Sequence, residues 1–199
     1  MKTIKDISRL SSITRYGYSI VIPKDTPVIE TENGYTFSYG ENHGKLNKEG
    51  KIHCEDGPAA VIDGSIFYAK DGLVHREDGP AIIRGDEYRY LVDGYSHRVD
   101  GPSLVWGGRE EWHFNGNFHR EGGPAVTHSD GTMIWYHHGK IHNSSGYAII
   151  HSNGVKEFFL SGKPVTKGLK KWCKKHKINL DNIDEGDILV YQFETNMGA

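Results

Sequence analysis

The dipeptide Gly-Pro recurs at Gly57-Pro58, Gly79-Pro80, Gly101-Pro102 and Gly123-Pro124, 22 residues apart each time. Twenty-three residues later Gly146-Tyr147 stands in the same phase with the proline lost. A histidine precedes each of these glycines by four residues, at His53, His75, His97, His119 and His142. Another glycine precedes each histidine by three, at Gly50, Gly72, Gly94, Gly116 and Gly139, and Gly162 opens a copy that stops at Lys163-Pro164-Val165. Landmarks in constant phase over five copies dictate a tandem repeat. Such a chain folds as short units that each bury a face against the next.

The unit divides into two strands. After Gly-Pro comes an apolar run: Ala59-Ala60-Val61-Ile62, Ala81-Ile82-Ile83, Ser103-Leu104-Val105-Trp106, Ala125-Val126-Thr127 and Ala148-Ile149-Ile150. A tight-turn signal follows, at Asp63-Gly64, Arg84-Gly85, Gly107-Gly108, Asp130-Gly131 and Asn153-Gly154. The second strand carries an aromatic four residues before its closing glycine: Tyr68, Tyr90, Trp112, Trp135 and Phe158. Alternation places it on one face with Ile66, Tyr88 and Met133 before it and Val92, Phe114 and Leu160 after it. The histidine segment is then expected to make a wider turn into the next hairpin. The predicted fold is an all-β repeat: an elongated, twisted antiparallel sheet of consecutive hairpins.

The ends depart from this pattern. Residues 1–26 match nothing in the repeat and are expected to cap that end, and residues 27–49 read as a degenerate first hairpin with its turn at Asn33-Gly34. The array proper is 50–166. Residues 167–199 read as a second cap, an amphipathic helix carrying Leu169, Trp172, Cys173 and His176, followed by a strand over 188–193.

Composition excludes several classes. Twenty-five glycines and 11% aromatics, with only 36% hydrophobic residues, suit short strands and turns rather than a helical core. The net charge of −2 gives no reason to expect nucleic acid or an anionic membrane as partner. Six lysines between Lys167 and Lys177 are followed by Asp181, Asp184, Glu185 and Asp187, a locally neutralised cap. Cys54 and Cys173 form no C-x-x-C pair, and a reducing compartment is expected. Asp6, Arg9 and Arg15 interrupt the first 24 residues, and no apolar run approaches the ~18–20 residues of a membrane helix. The expectation is a soluble, cytoplasmic protein.

His75-Arg76-Glu77-Asp78-Gly79-Pro80-Ala81 spells a complete motif, whereas His97-Arg98-Val99-Asp100 and His119-Arg120-Glu121-Gly122 each miss one position. His142-Asn143-Ser144-Ser145 keeps only the histidine. The units resemble MORN-type repeats, and more closely the HREDGPA repeats of uncharacterised proteins from tailed bacteriophages and large DNA viruses. The resemblance covers roughly residues 45–165 and implies an architecture, with a lean towards binding. If the source is viral, it implies a protein of the host cytoplasm that inhibits or redirects a host factor, such as a defence protein.

Twelve histidines invite a metal or acid–base reading. Equivalent positions in successive hairpins lie two strands apart, about 9–10 Å at ~4.8 Å per strand. Two repeat histidines therefore cannot share a zinc whose bonds are ~2.0–2.3 Å. His53, His75, His97, His119 and His142 are read as structural, each bonding its own turn, with the following Asp accepting from backbone amides. Repeating one side chain five times along a ladder also argues against a catalytic role. No phosphate loop or nucleophile elbow is present. Expected are no catalytic residues, no cofactor and no metal.

The candidate binding residues are the histidines outside the turn motif, His113, His128, His137, His138 and His151, with the aromatics near them in the pattern, Trp106, Trp112, Trp135 and Tyr136. Aromatics of this kind dominate interface hot spots. A metal held by His137 or His138 with His128 or His151 is the minor alternative. The leading expectation is a non-enzymatic scaffold that binds a protein. The alternatives are capture of a nucleotide-like ligand, with Arg89, Arg98 or Arg109 on its phosphates, and an enzyme with an unfamiliar site in 106–151.

Overall fold

The computed structural model describes residues 12, 13, 19, 20, 22 and 26–197. It is an array of antiparallel β-hairpins ending in a helical cap. Contacts divide the chain into two compact units, residues 1–107 and 108–199. Most of the expected N-terminal cap lies outside the described residues; within it, Ser12–Ile13 pairs antiparallel with Ser19–Ile20.

In the first unit Val28–Thr31, Gly34–Tyr39 and Asn42–Leu46 form a three-stranded meander. Ala60–Ile62 continues the sheet beside Asn42–Leu46. The hairpins Ala60–Ile62/Ser65–Phe67 and Ile82–Arg84/Glu87–Arg89 follow, and Leu104–Trp106 pairs with the latter. In the second unit the order is Arg109–Glu111, Val126–Thr127, Met133–Ile134, Ile149–Ile150 and Lys156–Glu157. Val126 pairs with Ile134 across eight positions, whereas Ile82 pairs with Arg89 across seven. That additional turn residue accounts for the 23-residue step from Gly123 to Gly146.

The repeat is more broken than its hydrophobic pattern suggests. The second strand does not run through its aromatic; it stops there and restarts in a separate two-stranded ladder. Tyr68 N–H donates to Ala81 O of the following repeat (2.8 Å), while Tyr68 O accepts from His75 N–H of its own (3.1 Å). Tyr90, Trp112 and Trp135 repeat this switch, donating to Ser103, Ala125 and Ala148 and accepting from His97, His119 and His142. One residue bonded in two directions cannot stay in register with a single flat ladder.

Before the histidine segment makes its wider turn over residues 75–80 comes a second tight hairpin, such as Ala69–Lys70/Leu73–Val74 around Asp71-Gly72. Both turn residues have positive φ, 48° and 84°, as a two-residue type I′ turn demands. The aromatics do not form a uniformly buried stripe: Phe158 is buried, while Tyr68, Tyr90, Trp112 and Trp135 are only partly so. The pair after Gly-Pro does the packing, because both residues are buried in every copy from Ala59-Ala60 to Ala148-Ile149.

The C-terminal cap is α1 (Thr166–His176), a short 3-10 turn (Leu180–Asn182) and α2 (Glu185–Glu194). The strand expected over 188–193 is therefore a helix. Asp184 accepts from Asp187 N–H (2.9 Å), and the Asp187 carboxylate accepts from Asp184 N–H (3.4 Å), a reciprocal capping box. Ile188 and Tyr191, one helical turn apart, pack on Leu169, Trp172 and Cys173, leaving Leu189, Val190 and Phe193 exposed. No helix among the described residues is long and apolar enough to cross a membrane.

Candidate functional site

The repeated histidines bond forward rather than within their own turns. Nδ1 of His53 accepts from Asp71 N–H, that of His75 from Asp93 N–H, that of His119 from His138 N–H and that of His142 from Ser161 N–H, all at 3.1–3.2 Å. An accepting Nδ1 requires the neutral tautomer with its proton on Nε2. Nε2 in turn faces a glutamate two residues on, Glu55, Glu77 or Glu121, at 3.3–3.8 Å. Burial first, then the charges of His138 and His137, holds His119 below the ordinary imidazole range, with Glu121 opposing. Burial and then His137 do the same to His142, against Glu185.

The motif's arginine lies over the repeat aromatic. The guanidinium carbons of Arg76, Arg98 and Arg120 sit 3.9–4.0 Å from the ring centres of Tyr68, Tyr90 and Trp112. Arg76 Nε–H donates to Asp78 and Arg98 Nε–H to Asp100, and these bonds hold both carboxyls below the usual range. This is where the motif's aspartate goes: it clamps the arginine. The other end of each guanidinium donates to Pro80 O, Pro102 O and Pro124 O. A Cβ at Gly79, Gly101 or Gly123 would lie 2.7–3.0 Å from that guanidinium carbon, so glycine leaves it room. In the degraded fifth copy Asn143 Nδ2–H donates to Tyr147 O (2.8 Å), taking over part of the arginine's work.

The candidate binding residues are distributed over both units. Trp106 lies in the first unit on Leu104–Trp106, 56% exposed, and the remaining candidates lie in the second. His128 and His151 occupy the two enlarged turns, where His128 Nδ1 lies 2.8 Å from Arg109 and His151 Nε2 2.7 Å from Glu157. The expected pairing of either with His137 or His138 is absent from the histidine group that does assemble. That group is His119, His137 and His138, whose ligating atoms lie within 4.8 Å of one another. His113 is buried against Phe118, which packs on Tyr136. Trp112 lies beneath Arg120 with its Nε1–H buried and without an acceptor, and Trp135 is half-buried.

A surface that the repeat-breaking criterion missed lies on the open side of the first unit's sheet. Val61 pairs with Ile66, Ile66 with Ile83, Ile83 with Tyr88 and Tyr88 with Val105, giving one in-register apolar row across five strands. None of the five is buried, and Tyr88 is 41% exposed. The opposite row runs through Ala60, Phe67, Ile82, Arg89 and Leu104, and all of these but the half-buried Arg89 are buried. At the Val61 end the surface dips into a cleft of about 440 Å³ walled by Pro27, Ile29, His43, Lys45 and Pro58. Alternation in the strands signals this row, but strand pairing is what joins it.

No model of a known protein family matches the chain, and no curated protein matches it.

Proposed function

We propose that the chain is a non-enzymatic repeat scaffold whose open apolar row in the first unit binds a protein partner. The in-register row Val61–Ile66–Ile83–Tyr88–Val105 carries this reading. Four steps at ~4.8 Å give a length of about 19 Å, matching the apolar stripe of an amphipathic helix of about 13 residues. Four of the row's residues are half-buried and Tyr88 is exposed, and contiguous apolar surface left accessible in this way marks interaction sites. The cleft beside Val61 offers a socket for one anchoring side chain.

The likeness to repeats of phage and large-virus proteins supports a finer reading, in which the partner is a host factor, such as a defence protein, met in the host cytoplasm. The nucleotide alternative draws less support. Arg98 is committed to Tyr90 and Asp100, and Arg109 to Glu111 and His128.

Capture from a host-cell lysate tests the proposal. The parent chain should retain one protein in stoichiometric amount, and an Ile83→Ser/Tyr88→Ser variant with the parent's circular dichroism should lose it. Recovery of no stoichiometric protein, or equal recovery by the variant, overturns it.

A further inference from the structure

We propose that His119, His137 and His138, with the carboxylate of Glu121, form a binding site for a divalent transition metal of the zinc or nickel type. The site is independent of the apolar row, since all four residues belong to the second unit. It arises where the repeat's own strut meets two departures from the consensus. His138 is the first turn residue of the ladder Tyr136–His137/Lys140–Ile141, at φ 47°. The equivalent turns use the small polar residues Asp71, Asp93, Asn115 and Ser161. His137 stands where other copies have Lys70, Val92, Phe114 and Leu160. Both substitutions occur together in one copy, and they bring two extra imidazoles beside a repeat histidine.

The geometry suits a partly preformed site. Ring centres lie 4.3 Å apart for His119–His138, 4.4 Å for His137–His138 and 5.0 Å for His119–His137. Glu121 Oε1 is 3.3 Å from His119 Nε2 and 3.7 Å from His137 Nε2, so a single carboxylate already faces two of the three rings. Zinc at about 2.0–2.1 Å from each ligand needs nitrogen separations near 3.3 Å. The present spread of up to 4.8 Å closes by rotation of His137 and His138, whose side chains are exposed. The anchored member is His119, with only 14% of its side chain exposed.

His119 carries its proton on Nε2 because Nδ1 accepts from His138 N–H. Coordination through Nε2 moves that proton to Nδ1 by way of solvent; the protonated Nδ1 no longer accepts, and the backbone N–H of His138, at an exposed turn, is left to water. Metal coordination thereby replaces a hydrogen bond between successive repeats with a bridge between the same two residues.

The test is calorimetric titration of the untagged full chain with zinc chloride, and separately with nickel chloride, in a weakly coordinating buffer. One equivalent should bind saturably, and zinc should raise the unfolding temperature. His137→Ala/His138→Ala should weaken binding by about 100-fold or more, and Glu121→Gln should weaken it less. His151→Ala should bind as the parent does. Zinc-edge X-ray absorption should show three imidazoles in the first coordination sphere. No saturable heat at about tenfold excess metal, unchanged binding by the double variant, or fewer than two imidazoles at the edge would overturn the proposal. The double variant touches only the tip of an exposed hairpin, and parent-like circular dichroism separates loss of ligands from loss of fold.

Discussion

Phe158 N–H donates to the hydroxyl of Thr166 at 2.9 Å. In earlier copies the equivalent amide, such as that of Trp135, donates to the first carbonyl of the next repeat, here Ala148 O. Thr166 begins α1, so the first residue of the helical cap supplies the acceptor that a sixth repeat would have supplied. Val165, standing at the repeat-histidine position, still donates its N–H to Phe158 O (2.9 Å). The array ends because one side chain imitates the next copy.

Thr166→Val should therefore destabilise the chain by about 1–3 kcal/mol, the cost of stranding a buried donor. Thr166→Ser should restore most of the loss. Urea unfolding midpoints measure both. Parent-like midpoints for the valine variant would show that the cap is held by its apolar contacts alone.

The guanidinium of Arg98 occupies the space where a side chain at Gly101 would begin. Gly101→Ala should push it off the Tyr90 ring and cost about 1–2 kcal/mol, much as Arg98→Ala does. The double variant should cost little more than either single one. Additivity to within about 0.3 kcal/mol would separate the glycine from the stack.

Tyr147 replaces the proline of the fifth Gly-Pro, and its hydroxyl donates to Asp181 at 2.6 Å. Burial, then Asp181, pushes the phenol from 10.0 up to about 12. Folding therefore favours the protonated phenol. Its contribution is fully present below about pH 10 and is lost as the pH climbs towards 12. The stability difference between the parent and Tyr147→Phe should shrink between about pH 10 and 12. A difference constant over that range would mean that Tyr147 titrates as an ordinary surface tyrosine.

The period, the strand segments and the tight turns were legible because glycine, proline and Asp-Gly pairs act locally. The forward reach of His75 to Asp93 and the stacking of Arg76 on Tyr68 were not, since both depend on which segments become neighbours. The last helix was misread for a related reason. Ile188-Leu189-Val190 has strand-like composition, and its cap is an Asp184–Asp187 pair rather than the more familiar Ser/Thr with Glu. Choosing candidates outside the turn motif picks out two members of the histidine group, His137 and His138, and passes over the third, His119, whose regular spacing marks it as structural. The apolar row escaped because each copy contributes only one or two ordinary residues to it.

Hydrogen–deuterium exchange on the captured complex tests the central claim most directly. Protection on binding should fall on Ala60–Ile62, Ser65–Phe67, Ile82–Arg84, Glu87–Arg89 and Leu104–Trp106, the strands that bear the open row. The histidine segments and the C-terminal cap should exchange as in the free chain. Protection confined to 119–142 or to the helices, with those five strands unchanged, would contradict the account.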